Sequence, residues 1–452
     1  MLLGAYASTI QATSTLQEFD GVPATTYILI DGASDVLTLA ANTASYITSY
    51  INVSITGNLG IMQCASYEES LDVTLAVSGG SCGSIELGSV RYSTISIVSG
   101  IVSDLRTGSS ESLVTQTGGT VFNVSLGYGT QYNLTGGICA GGHVYRLNLA
   151  GGTVTGALSC EGLQLYSGFI EEADVSGGGG SILSGGVVNK LAVSEDASVN
   201  ITGATVSTVY ADSYSLSRTT FTSGYLGEFI VDEPPTNYNM PVLTLIGGTI
   251  GTISNILTYD LRVANPNLYI EGLTFSGAGP YSSYASLTLE AGTIGSVTDH
   301  TNSIDTSLYV SGGFVGSIDS TKSLGMTGGH VATVRLSQGG YDPSISGGTI
   351  DTFLTTSQMG GGTLRVSGTA VIGELTLNNE DFSFTGVSLN VSGGVVHKVL
   401  SDYDLPVTEG LARPKITISG GTVGITQLLK EQIDAGYIEF TYTGGTVVYL
   451  NE

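Results

Sequence analysis

The chain rewrites one short phrase along most of its length. "LYVSGGFVGSI" at 308–318 returns as "LTLEAGTIGSV" at 287–297 and as "LNVSGGVVHKV" at 389–399. Aligned on the first residue of the box, copies begin at Gly79, Gly100, Gly118, Gly136, Gly151, Gly168, Gly185, Gly203, Gly224, Gly247, Gly272, Ala291, Gly312, Gly328, Gly347, Gly368, Gly393, Gly420 and Gly444. The intervals run from 15 to 27 residues and centre near 20. "ILIDGASDVL" (28–37) and "VSITGNLGIM" (53–62) read as degenerate copies, for about 21 units in all. A self-similar period of this size signals a solenoid.

The columns of the repeat specify which kind. In 15 of the 19 boxes Ser or Thr precedes the first glycine, and before it apolar and polar residues alternate. Alternation with period two marks a strand with one buried face. A second short strand follows the glycines, as in "TVTGAL" (153–158) and "TIGTI" (249–253). Glycine allows the positive φ that a sharp corner between strands needs. A corner and two or three short strands per 20 residues describe an all-β parallel β-helix, here a single one of about 21 coils. Coils stack at strand spacing, roughly 4.8 Å. The Ser/Thr column is expected to form a hydroxyl ladder beside the corner. A propeller would require blades of about 40 residues.

Composition excludes several classes. Of 452 residues 66 are Gly and only 9 Pro, without the three-residue period of collagen. Charged residues make up 11%, and Val, Ile, Thr, Ser and Tyr are plentiful, so the chain is not of the disordered type. The net charge of −25 opposes binding to nucleic acid or to anionic lipid. No apolar run reaches membrane-spanning length, which excludes membrane insertion. The first 21 residues lack the basic and apolar regions of a signal peptide.

"SGGTI", "SGGVV" and "SGGTV" after "L-x-V" resemble the right-handed parallel β-helix repeats of the pectin-lyase-like superfamily, over roughly residues 50–452. That superfamily includes bacterial surface adhesins, polysaccharide lyases and phage tailspikes. The resemblance implies the fold, and an extracellular, cell-surface or virion location. Lyases of this fold use stacked aspartates with a basic residue on one sheet. This chain has 13 Lys and Arg, and no column combining them with acids is expected from the repeat.

Residues 1–26 are expected to form an N-terminal cap or attachment segment, and 27–452 the β-helix. Loop insertions are expected to concentrate in 225–440, at 230–242, 257–267, 377–386 and 401–414. "GITQLLKEQIDAGY" (424–437) has helical spacing of Leu428, Leu429 and Ile433 and stops at Gly436. The coil after it reads as uncapped, so self-association or a partner subunit is expected there, with coverage by the helix as the alternative.

Candidate chemistry is sparse. Cys82 and Cys139 fall in the inward column of Val121, Val154 and Ile250. Cys64 and Cys82, like Cys139 and Cys160, lie one coil apart. That spacing admits disulfides, but buried free thiols are the expectation. Without a CxxC motif zinc is not expected. Glu271 and Glu290 occupy the Ser/Thr column in consecutive boxes. Stacked, they would place two carboxylates close enough for acid/base work or a Ca²⁺ site. Splayed, they would be two solvated side chains. Asp402 and Asp404 are weaker metal candidates of the same kind, and no resident cofactor is otherwise expected. Tyr238, Tyr281 and Tyr284 fall in or near loops and are the candidates for a glycan-binding face. The functional expectation is a non-catalytic structural or adhesive β-solenoid such as a virion fibre, filament subunit or surface adhesin. A tailspike-like protein that binds or cleaves polysaccharide is the alternative.

Overall fold

The computed structural model describes residues 9–13, 25–30, 33–40, 49–64, 68–87, 90–108, 111–212, 217–232, 242–254, 260–275, 284–299, 305–320, 323–336, 342–355, 362–377, 388–401 and 413–451. The protein is a parallel β-solenoid with about 20 residues per turn, as the repeat predicts. Its described residues make about 16 turns. That is fewer than the 21 units counted in the sequence. Several turns run partly through residues outside the described set. The chain divides into two compact units, Met1–Thr220 and Phe221–Glu452, each built from the same coil.

One coil of the second unit shows why the sequence folds this way. Strand Asp305–Val310 is followed by Ser311, Gly312 and Gly313, and then by strand Phe314–Ser320. Leu308, Val310, Val315 and Ile318 all point into the core and are essentially buried. Two apolar residues separated by one polar residue define a straight run. The gap of two residues between Val315 and Ile318 leaves Gly316 and Ser317 both partly exposed within one strand. Gly313 turns the corner at φ 72°, a conformation costly for any residue with a Cβ.

The coil lies in register on its neighbours. Asp305–Val310 pairs in parallel with Tyr284–Leu289, and Phe314–Ser320 with Thr293–Asp299. The backbone hydrogen bonds therefore run between coils, along the stacking direction. The first unit repeats the arrangement: Phe169–Val175 carries Val187–Val193, which carries Thr205–Asp212. Ile170, Val188 and Val206 form one interior file, and Ala173, Leu191 and Val209 another. Each buried Val, Leu or Ile contributes about 1.5–3 kcal/mol.

The Ser/Thr column works differently from the expected hydroxyl ladder. Its hydroxyls donate to a backbone carbonyl of the preceding coil: Thr135 to Gln116 at 3.3 Å, Ser184 to Leu165 at 3.3 Å, Ser311 to Leu289 at 3.4 Å. A backbone oxygen at the corner is the nearest acceptor, so the hydroxyls stitch side chain to main chain rather than to one another.

The expected helix is present as Gln427–Asp434. Thr426 caps it by accepting a hydrogen bond from the Leu429 amide at 3.4 Å, and Gly436 at φ 75° follows its end. Leu429 is buried, whereas Leu428, expected on the same apolar face, is 56% exposed. The helix packs against strands Ser388–Ser401, Lys415–Thr426 and Thr446–Leu450. In the segment expected to cap the N-terminus, Thr9–Thr13 is a strand paired in parallel with Val36–Ala40. The insertion read at 257–267 includes strand Asp260–Val263, which pairs with Ser286–Leu289 as an ordinary part of the coil. The insertions at 230–242, 377–386 and 401–414 fall largely outside the described residues.

Candidate binding faces

Glu271 and Glu290 do not stack. Ile270 pairs with Ile294 and Gly272 with Ser296, so Glu271 lies opposite Gly295 on the run after the corner. A Cβ at Gly295 would sit 2.4 Å from the Glu271 carbonyl oxygen. Glu290 occupies the corner itself, where its amide donates to the Val263 carbonyl at 2.8 Å. The box at Gly272 was therefore misplaced. Leu268 pairs with Gly248, and the true corner of that coil is formed by Ala264, Asn265, Pro266 and Asn267. The Asn265 side chain accepts from the Asn267 amide at 2.8 Å, and the Asn265 carbonyl accepts from the Leu268 amide at 3.1 Å. An asparagine turn has replaced the glycine pair there.

Glu290 instead pairs with Arg262 on the preceding coil, through two hydrogen bonds of 2.9 and 2.7 Å. This fork holds the Glu290 carboxyl below its ordinary range and raises the guanidinium. Arg365 and the Thr363 amide do the same for Asp342. Both pairs link neighbouring coils, as Glu172 and Lys190 do at 2.8 Å. Their geometry is that of coil-to-coil fasteners on the surface.

Cys82, Cys139 and Cys160 are free and fully buried. Cys82 and Cys139 stand in one interior file with Val102, Val121 and Val154. Burial pushes the Cys82 and Cys160 thiols up to about 12 and raises Cys139 as well. The side chain of Cys64 is outside the described set. Tyr238, Tyr281, Asp402 and Asp404 also lie outside the described residues. Tyr284 is placed in strand Tyr284–Leu289, with its backbone opposite Asp305. Among the described residues, no three His, Cys, Asp or Glu side chains gather to hold a metal ion, and no helix is long and apolar enough to cross a membrane.

What the structure does bring together is an outward file directly after the corner. In the second unit Tyr225, Thr249, Tyr269, Thr293, Phe314 and His330 follow one another in register on successive coils. Tyr225 is 45% exposed, Tyr269 and Phe314 only slightly less. The Phe314 and His330 rings meet edge to face at 5.2 Å. His330 also bonds Asp351 at 2.9 Å. In the first unit the same position holds Ile101, Thr120, Ile138 and Thr153 in register. Part of the signal was present in the sequence, as the residue following a glycine pair at Thr249, Phe314 and His330, whereas Tyr225 follows a single glycine and Tyr269 follows the asparagine turn.

No protein-family model, no curated protein and no solved structure matches this chain.

Proposed function

We propose that the protein is a non-catalytic structural or adhesive β-solenoid, working by extended surface contact outside the cell or on a virion, in the manner of the adhesins and phage fibres its repeat resembles. The supporting observation is the outward file after the corner. It repeats partly exposed aromatic, β-branched and Thr side chains at strand spacing, roughly 4.8 Å, over many coils. A file of that kind suits many small contacts along another extended surface, a second copy of this chain included. Exposed apolar side chains in line mark interaction surfaces rather than reaction pockets. The acidic surface keeps such a protein soluble until it meets its partner.

The polysaccharide-cleaving alternative rested on Glu271 and Glu290 acting together. Their placement on separate runs, with Glu290 held by Arg262, takes away the geometric motive for it.

The test combines light scattering, negative-stain images, retention on cell or glycan surfaces, and turnover of a polysaccharide panel. This reading expects assembly or retention without turnover, and loss of either in Tyr225→Ser/Tyr269→Ser/Phe314→Ser. A monomer that binds nothing, or one that cleaves a polysaccharide, sinks it.

A further inference from the structure

We propose that the first unit carries a binding platform for a neutral polysaccharide, centred on Tyr128, Tyr145 and the amides of Asn133 and Asn148. This names a ligand class and a place, and it rests on the adhesive half of the reading above. Tyr128 sits on a tight turn with Gly129 at φ 82° and is 71% exposed. Its ring lies against Tyr145 of the next coil at 4.6 Å, tilted by 50°. The Arg146 guanidinium covers Tyr145 at 5.5 Å and fixes that ring in turn. Two aromatic rings are thus held at the surface with little freedom left to lose on binding.

Beside them the strand presents a ladder of amides. Gln131 and Asn148 both donate to the Asn133 side-chain carbonyl at 2.9 Å. These bonds orient the amides and use neither the Asn133 NH₂ group nor the Asn148 carbonyl oxygen, one donor and one acceptor. Hydroxyl groups on a sugar ring both donate and accept, so neighbouring ring hydroxyls can use both. Farther along the same face Gln164 and the exposed Tyr166 continue the row one coil later. Tyr166 lies one coil on and five positions farther along than Tyr145, a displacement of roughly 16 Å at strand rise, a length a short oligosaccharide spans. Arg146 is offset by Glu161, which acts on the Tyr145 hydroxyl, so the local charge is close to balanced. With the chain at −25, an acidic polymer is disfavoured.

Affinity electrophoresis of the folded full chain in gels containing a glucan, a mannan, a galactan or a xylan tests this, with polygalacturonate as the acidic comparison. Retardation is expected in at least one neutral gel and not with polygalacturonate. Tyr128→Ala/Tyr145→Ala should weaken it roughly tenfold or more. Tyr309→Ala, an exposed tyrosine of the second unit, should leave it unchanged. If the double variant melts early by circular dichroism, Tyr128→Ala alone carries the test, since that ring is on a turn outside the core. Retardation by no neutral polysaccharide, retardation by polygalacturonate alone, or native behaviour of the variants would overturn the proposal. If the native chain still assembles in that case, the platform falls and the structural reading stands.

Discussion

The phenolic hydroxyl of Tyr132 donates a hydrogen bond to the side-chain carbonyl of Gln116 in the middle of the first unit's core. Both side chains are fully buried. Gln116 belongs to an interior file that is otherwise apolar, with Ile97 on the coil before it and Leu134 on the coil after. Its amide nitrogen donates to the Gly119 carbonyl at 3.1 Å and to the Ile138 carbonyl at 3.0 Å. A polar residue has been admitted to a hydrocarbon column because every one of its polar atoms is paired.

Tyr132→Phe keeps the shape and removes the donor, which strands the Gln116 oxygen. The expected loss is about 1–3 kcal/mol, read as a lower midpoint in denaturant unfolding. Adding Gln116→Leu should restore part of it, because the neighbouring coils already present Ile and Leu at that position. A Tyr132→Phe variant as stable as the native chain would refute the pairing.

The glycines divide into two classes that thermal melts can separate. Gly119 has φ 71°, and a Cβ there would sit 2.5 Å from the Gly100 carbonyl oxygen. Gly119→Ala should cost at least about 1–3 kcal/mol, since strain and collision coincide. Gly178 has open space around a Cβ and no positive φ. Gly178→Ala should be neutral or stabilising by up to about 1 kcal/mol, through lost freedom of the unfolded chain.

The buried thiols should be silent. The thiolate is the reactive form, and burial holds Cys82 and Cys160 near 12. At pH 8 a maleimide should leave Cys82, Cys139 and Cys160 unmodified in the native protein, by peptide mass mapping, and modify all three after unfolding. Rapid native labelling of Cys82 would show that the core is open there.

Acid should loosen the coil-to-coil fasteners. The carboxyls of Glu290 and Asp342 are held below their ordinary values of 4.5 and 3.8, so the unfolded chain binds protons first. Their contribution is complete above those values and is lost as pH falls through the lower folded ones. Both pairs are at the surface, so the effect is small. Arg262→Gln/Arg365→Gln should lower the melting temperature slightly at pH 7 and converge on the native value in acid, so that its fall below pH 4.5 is shallower. An equally steep fall in the variant would locate acid sensitivity elsewhere.

Much of this architecture is legible in the residues themselves. Period-two alternation before Gly312 and the buried Val315 after the corner define the coil, because these interior positions are selected by burial. The helix at Gln427–Asp434 is legible from the spacing of Leu429 and Ile433 and the stop at Gly436. What escaped has a common cause: register is set by the interior columns, not by the glycines that mark corners. At Gly272 a glycine on the outer run imitated a corner, while the real corner at Asn265 used a side-chain turn. That single slip created the apparent stack of Glu271 and Glu290. Gln116 escaped because its partner, Tyr132, lies a full coil away in sequence. The Tyr128 and Tyr145 pair escaped for the same reason.

The account depends on coils lying in parallel register, and a cross-link measures that directly. Ser296 and Ser317 are opposed on adjacent coils, and Ser317 is opposed to Thr333 on the next. Neighbouring coils place Cα atoms roughly 4.8 Å apart, within disulfide reach, and coils two apart place them near 10 Å, beyond it. Ser296→Cys/Ser317→Cys should oxidise to an intramolecular disulfide, identified by peptide mapping, while Ser296→Cys/Thr333→Cys should stay reduced. Ready bridging of the second pair, or failure of the first in a folded chain, would contradict the stacked solenoid.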